Sequence, residues 1–220
     1  MSRTMKMKIS FNNTFKGMKV NASKDKGYGV YPVILDRMLD QITNLQEYHS
    51  RVTVVRLDLH FPEGHVTNNK LENTMLSRYI KRCKADLGSN TWGAHKRFVH
   101  GWVKEVGESG KSHYHLFFAF QTLLLNLGLL SGDGHTGVWK LLEDRWDELT
   151  GGTVHFSKHH RLTRDNREAF ANCFYHLSYL GKVRDKHFGT GEPHRRFGFS
   201  RLSPKPKDKE STVLEELMAA

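Results

Sequence analysis

The stretch Lys111-Ser112-His113-Tyr114-His115-Leu116-Phe117-Phe118-Ala119-Phe120 constrains the chain more than any other. It is aromatic and aliphatic, and the turn-like Gly107-Glu108-Ser109-Gly110 bounds it upstream, so it reads as a buried strand. A strand sends alternate side chains to one face, which points His113 and His115 the same way, roughly 7 Å apart. Two imidazoles held that close on a rigid element suit a divalent metal ion. The pair taken alone also fits two ordinary strand histidines in a chain that holds 14.

The formal net charge is +11. Such a surplus attracts nucleic acid through release of counterions from its phosphates. It would also attract an acidic membrane surface, but no long basic amphipathic helix stands out. Solubility is the other use of surface charge. Cys83 and Cys173 lie far apart, without metal spacing, each inside a helical pattern. That suits a reducing compartment and excludes a disulfide scaffold. The N-terminus has no apolar run for a signal peptide, and Leu123 to Leu130 is too short to span a membrane. The expected location is the cytoplasm, with no membrane partner.

Residues 1–28 are polar, Lys-rich and aperiodic, which predicts a basic flexible arm. Val33 to Tyr48 predicts a helix. Val52 to Phe61 alternates as a strand, with Val55, Leu57, Leu59 and Phe61 on one face and Arg56, Asp58 and His60 on the other. That second face is either solvent-facing or a site. Asn69 to Asp86 predicts a helix, and Phe98 to Val106 pairs with His113 to Phe120 as a hairpin. A helix over 133–149 and a strand over 153–156 follow. Asp165, with Glu168 three residues on, predicts the start of a last long helix that runs to about Arg184. Residues 187–220 read as a basic loop and tail, with a short helix over 212–218. The element order predicts an α+β fold, a mostly antiparallel central sheet carrying the His-x-His strand and flanked by helices.

On the last helix Phe170, Cys173, Phe174, Leu177 and Leu180 make the apolar stripe, while Tyr175, Tyr179 and Lys182 share a nearly opposite face. An amphipathic tyrosine suits a half-exposed helix face, and a lysine near a helix C-terminus suits the dipole. The same residues also compose a nucleophilic site. A phenol is a poor nucleophile at neutral pH and needs a nearby cation to favour the phenolate. A metal held by His113 and His115 would polarise a phosphodiester, and Lys182 would offset charge on the phenolate or on the leaving oxygen.

These motifs resemble a known superfamily. His113-Tyr114-His115 resembles the His-hydrophobic-His motif of HUH endonucleases, and Tyr179-Leu180-Gly181-Lys182 resembles their Tyr-x-x-Lys motif. Arg56-Leu57-Asp58-Leu59-His60-Phe61-Pro62 resembles the first strand motif of the same superfamily. The wording is most similar to the YagK/YfjJ-like prophage proteins, related to the inovirus (filamentous phage) replication initiators. The resemblance covers roughly residues 50–200.

That resemblance implies an HUH/Rep-nuclease domain of a ferredoxin-like variant over 29–186. It implies a metal-dependent nickase that cuts and rejoins single-stranded DNA, at an origin or hairpin, through a 5′-phosphotyrosine, initiating rolling-circle-type replication. The ion would be Mg²⁺ or Mn²⁺. Glu105, on the strand before the His-x-His strand, is the expected third ligand, with Asp58 and His60 as further site residues. Glu108 ranks below Glu105. Tyr179 is the expected nucleophile; Tyr175 is either a second one or an aromatic that stacks on a base. Arg56, Lys96, Arg97, Lys158, Arg161 and Arg164 are candidate phosphate contacts. No Gly-x-x-x-x-Gly-Lys-Ser/Thr loop is present, so unwinding would fall to a host helicase and extension to a polymerase. A single-strand HUH transposase or a relaxase would use the same chemistry. A reading of another class is a non-catalytic basic DNA-binding regulator, with no metal dependence and no covalent adduct.

Overall fold

The computed structural model of the chain describes residues 7–107, 110–122, 127–130, 134–186 and 195–206. In chain order these form β1 (Thr14–Phe15), β2 (Met18–Lys19), α1 (Pro32–Tyr48), β3 (Arg51–His60), α2 (Asn69–Leu87), β4 (Phe98–Val106) and β5 (Ser112–Gln121). There follow α3 (Gly137–Thr150), β6 (Thr153–Phe156), β7 (His160–Thr163), α4 (Arg167–Leu177), a 3₁₀ turn (Ser178–Gly181) and β8 (Phe197–Phe199).

The central sheet runs β6-β3-β5-β4-β8, with β7 continuing the edge along the first half of β3. All its pairings are antiparallel. β5 inserts between β3 and β4, and β3 inserts between β5 and β6, so two β-α-β units interlock. The expectation of an α+β fold with a mostly antiparallel sheet flanked by helices holds.

Each face of the sheet buries its own core. Val55, Leu57, Leu59, Tyr114, Leu116 and Phe118 pack under α2 and α3. Val52, Val54, Val99, Val103, Phe117 and Ala119 pack under α1 and α4. Each such fully buried aliphatic or aromatic side chain contributes on the order of 2 kcal/mol. On this second face the strands turn polar at one end. Past Val54 come Arg56, Asp58 and His60; before Phe117 come His113 and His115; past Val103 comes Glu105. The register sets Asp58 opposite His115, His60 opposite His113, and Glu105 opposite His113.

Three expectations need correction. Residues 7–28 are not a free arm. Val20 and Ala22 are buried, β1 and β2 pair, and Asn21 donates its N–H and Nδ2 to Ser178 Oγ at 2.8 and 3.1 Å. Residues 195–206 are likewise packed: β8 extends β4, and Leu202 O accepts from Gln41 Nε2 and Asn44 Nδ2. The last helix starts at Asn166, whose side chain accepts from Ala169 N–H, so Asn166 and not Asp165 is the cap. It also ends early, at Leu177. Ser178 Oγ bonds back to Tyr175 O at 2.7 Å, and the chain tightens into the 3₁₀ turn. The helix expected over 212–218, the 1–6 part of the arm and Glu108 lie outside the described residues.

Candidate metal centre and active site

Three residues converge at the polar end of the second face. Glu105 and His115 are buried and His113 is half-buried, and one ligand atom from each lies within 4.8 Å of the others. Strand alternation selects them: β5 turns His113 and His115 to this face while Ser112 and Tyr114 go to the other, and β4 does the same for Glu105 against Lys104. Glu105 Oε2 is 3.3 Å from His113 Nε2 and 2.9 Å from His115 Nε2. The two imidazoles stand edge to face, 4.9 Å between centroids.

The residues present fit a cation. His115 Nε2 is sealed from solvent and lacks any aligned hydrogen bond, although a carboxylate oxygen is 2.9 Å away. Buried polar atoms without partners are rare, and an imidazole nitrogen facing a carboxylate calls for a positive charge between them, either a proton on Nε2 or a bound cation. The outer contacts agree. Asp58 Oδ1 accepts from His115 Nδ1 at 2.6 Å, which fixes the tautomer and aims Nε2 at Glu105. Burial would lower the His115 pKa, but its contacts with Asp58 and Glu105 outweigh that and raise it. Burial would raise the Glu105 carboxyl, yet His113, His115 and Lys186 hold it far below the usual carboxylate range. Asp58 is lowered in the same way: burial opposes, and His115 and Arg56 prevail.

Lys186 is fully buried and donates to Glu105 Oε1. The sequence reading missed it, because it follows an irregular turn with Asp185 at φ +59° and belongs to no periodic pattern. His60 sits outside the trio. Its ring stacks on His113 at 5.2 Å and tilts against His155 at 4.7 Å, beside an open cleft lined by Phe61, His65 and Lys111.

Tyr179 stands at the same place. Its ring meets His115 edge to face at 5.1 Å. The Arg56 guanidinium carbon and Lys182 Nζ each lie 4.4 Å from its centroid. The 3₁₀ turn delivers this geometry. Gly181 approaches α1 so closely that a Cβ there would sit 2.9 Å from Leu35 Cδ2, which is why a glycine precedes Lys182. Burial, then the Glu105 charge, pushes the Tyr179 phenol upward, while Arg56 pulls it down. Burial and Arg56 lower Lys182.

Arg56, a candidate phosphate contact, is 8% exposed and stands inside the site, against Tyr179. One terminal nitrogen reaches Asp58 at 3.4 Å, and its Nε has no partner. Tyr175 is exposed and not drawn into the cluster; its carbonyl is fastened by Asn21. Among the other basic candidates, Lys158 flanks Ser157, whose N–H bonds Arg56 O, so it lies at the site's end of the sheet. Lys96, Arg97 and Arg164 lie at the opposite end. Arg97 covers the Tyr48 ring at 4.3 Å, and Arg164 bonds the carbonyls of Gln46 and Glu47. Arg161 is exposed on β7, opposite Thr53.

The molecule is thus an antiparallel α+β protein with a two-histidine, one-carboxylate cluster beside a tyrosine. Its sequence matches the YagK/YfjJ C-terminal domain over residues 11–200, and the chain belongs to that family. It is 29% identical over 201 residues to the uncharacterized protein YagK of Escherichia coli (strain K12), covering 78% of this chain and 92% of the relative. It is 25% identical over 195 residues to the uncharacterized protein YfjJ of the same strain, covering 76% and 92%. No solved structure matches it. Among the described residues, no helix is long and apolar enough to cross a membrane.

Proposed function

We propose that this chain is an HUH-type, ferredoxin-like nickase that cuts and rejoins single-stranded DNA through Tyr179. The observation that carries the reading is the position of the Tyr179 ring, against His115 and between Arg56 and Lys182. Glu105, His113 and His115 would hold the ion, and a set of two imidazoles with one carboxylate suits Mn²⁺ as well as Mg²⁺. The ion supplies Lewis-acid polarisation of a phosphoryl oxygen when bound.

The chain's own residues do the rest. Tyr179 Oη forms a bond to phosphorus as the bond from phosphorus to the 3′ oxygen breaks. The phenol loses a proton and the 3′ oxygen gains one, so the step consumes no water and no oxidant. Arg56 and Lys182 offset charge on the phenolate and on the phosphate in a partly buried site, where such contacts count most. Asp58 orients His115, and Lys186 holds Glu105. The reverse step rejoins the strand. Initiation of rolling-circle-type replication of a phage or mobile element, with a host helicase and polymerase, is the role this chemistry suits; transposition or relaxation would use it equally.

The test is a labelled single-stranded oligonucleotide incubated with protein and Mn²⁺. The expected product is a covalent, protease-sensitive adduct that Tyr179→Phe abolishes. An adduct that survives Tyr179→Phe assigns the nucleophile elsewhere. No adduct on any strand, including the element's own origin, leaves a non-catalytic DNA-binding regulator as the better reading.

A further inference from the structure

The N-terminal segment brings a second aromatic ring to the active turn. Residues 29–31 run antiparallel to residues 181–183: Tyr31 N–H bonds Gly181 O at 2.8 Å, Val183 N–H bonds Gly29 O at 2.9 Å, and Val30 bridges Lys182. Tyr28, just before this ladder, closes a tight turn with Ser23 through two backbone bonds of 2.8 and 2.9 Å. Gly27 takes φ +67° to make the turn. Gly29 is covered so closely that a Cβ would sit 2.6 Å from Ile9 Cγ2. The backbone that carries Tyr28 is therefore fixed to the element that carries Tyr179.

Its side chain is not used for packing. Tyr28 is 51% exposed, whereas Tyr31 in the same segment is 6% exposed and lies in the core. Lys182 Nζ is 5.9 Å from the Tyr28 centroid and 4.4 Å from that of Tyr179, so one ammonium serves both rings. The turn's tip adds exposed Lys24 and Lys26. An exposed ring on a rigid backbone, beside a nucleophile and among cations, has the makings of a stacking platform.

We propose that Tyr28 stacks against an unpaired nucleobase of the strand whose phosphate reaches Tyr179. This rests on the single-stranded DNA reading of the same site. It also reassigns the stacking role considered for Tyr175, which lies outside the cluster. The phenol ring supplies a π-face that accepts any base, so the platform gives affinity and register without sequence preference.

The experiment measures equilibrium binding of fluorescein-labelled oligo-dT, and of an all-abasic strand of equal length, by anisotropy in EDTA, where no cutting occurs. Tyr28→Ala is expected to bind oligo-dT roughly 5- to 100-fold more weakly. Tyr28→Phe should keep most of the affinity. The alanine loss should vanish on the abasic strand. Unchanged melting of both variants, expected for an exposed side chain, assigns the loss to the interface. Equal losses for Tyr28→Ala and Tyr28→Phe, an equal loss on the abasic strand, or no loss at all each overturn the platform. Adduct formation in Mn²⁺ by a chain that shows no loss with Tyr28→Ala sinks this inference alone. A wild-type chain that binds neither strand sinks it together with the nickase.

Discussion

Two charged clusters lie back to back across the same end of the sheet, and they use the same residue types to opposite ends. Lys104 of β4 faces α2, where it donates to Glu72 and to Asn69 Oδ1. Glu72 also meets His65 Nε2 at 3.0 Å and accepts from Asn68 N–H at 3.1 Å. Glu72 and Lys104 are sealed from solvent, at 0% and 1% exposed. One residue along, Glu105 faces the other way, toward His113 and His115. The Glu72 cluster is closed at its carboxylate: Lys104 donates to one oxygen, and Asn68 N–H and His65 Nε2 meet the other. The Glu105 cluster is open: Lys186 satisfies one oxygen, while the other crowds two imidazole nitrogens, of which His115 Nε2 has no aligned partner. A carboxylate with enough donors is architecture; one crowded by two imidazoles has the composition of a ligand set, which is the role proposed for it.

The hardest test of this contrast uses both clusters. His113→Ala with His115→Ala should abolish Mn²⁺ binding, followed by calorimetry, the covalent adduct, and the rise in melting point that Mn²⁺ gives the parent. Mn²⁺ affinity unchanged in that variant would mean the cluster is not the ion's site. Lys104→Met should do the reverse. It strands a buried carboxylate, so a loss of about 3–5 kcal/mol is expected, seen as a melting point lower by about 10 °C, with Mn²⁺ affinity kept. Adding Glu72→Gln should restore part of that stability, since the uncompensated charge is gone.

A subtler change probes how the open cluster is aimed. Asp58→Asn keeps the shape but weakens the charged contact that orients His115. Mn²⁺ should bind about 10- to 100-fold more weakly, with little change in melting. An affinity within twofold of the parent would reduce Asp58 to a surface partner of Arg56.

Much of this was legible in the sequence, and the parts that were not share a cause. The β4–β5 hairpin follows from alternation and a turn, both local signals, and its bounds fall within a residue or two of expectation. Alternation likewise put Arg56, Asp58 and His60 on one face. Whether that face met solvent was unreadable, because α4 and the 3₁₀ turn after it cover it from far along the chain. Glu105 came from resemblance, and the register explains it: it pairs with His113. β8 and the 7–30 segment escaped because a strand of three residues has no period, and its stability lies in the edge it joins. Lys186 and Tyr28 escaped for the same reason. The long helix was read through to Arg184 because propensity does not foresee Ser178 bonding backward or Gly181 meeting Leu35.

The smallest expected effect compares two histidines of adjacent strands, His115 with acids beside it and His100 with none. His100 lies on β4, its Nδ1 sealed without a partner, and burial with the nearby Lys84 lowers its pKa to about 4 from the ordinary 6.5. A folded pKa below the unfolded one means that the unfolded chain binds the proton better. The neutral ring's contribution is therefore full above about pH 6.5 and is lost as pH falls toward about 4. His115, with its pKa raised, has the opposite sign: its contribution is present below the ordinary value and fades as pH rises through the folded one. Between pH 7 and pH 5.5, His100 should cost about 1 kcal/mol of stability, measured by urea unfolding as the difference between the parent and His100→Phe. Parallel curves for the two proteins would show that burial without acids does not set the His100 proton affinity. The contrast with His115 would then rest on hydrogen bonding alone.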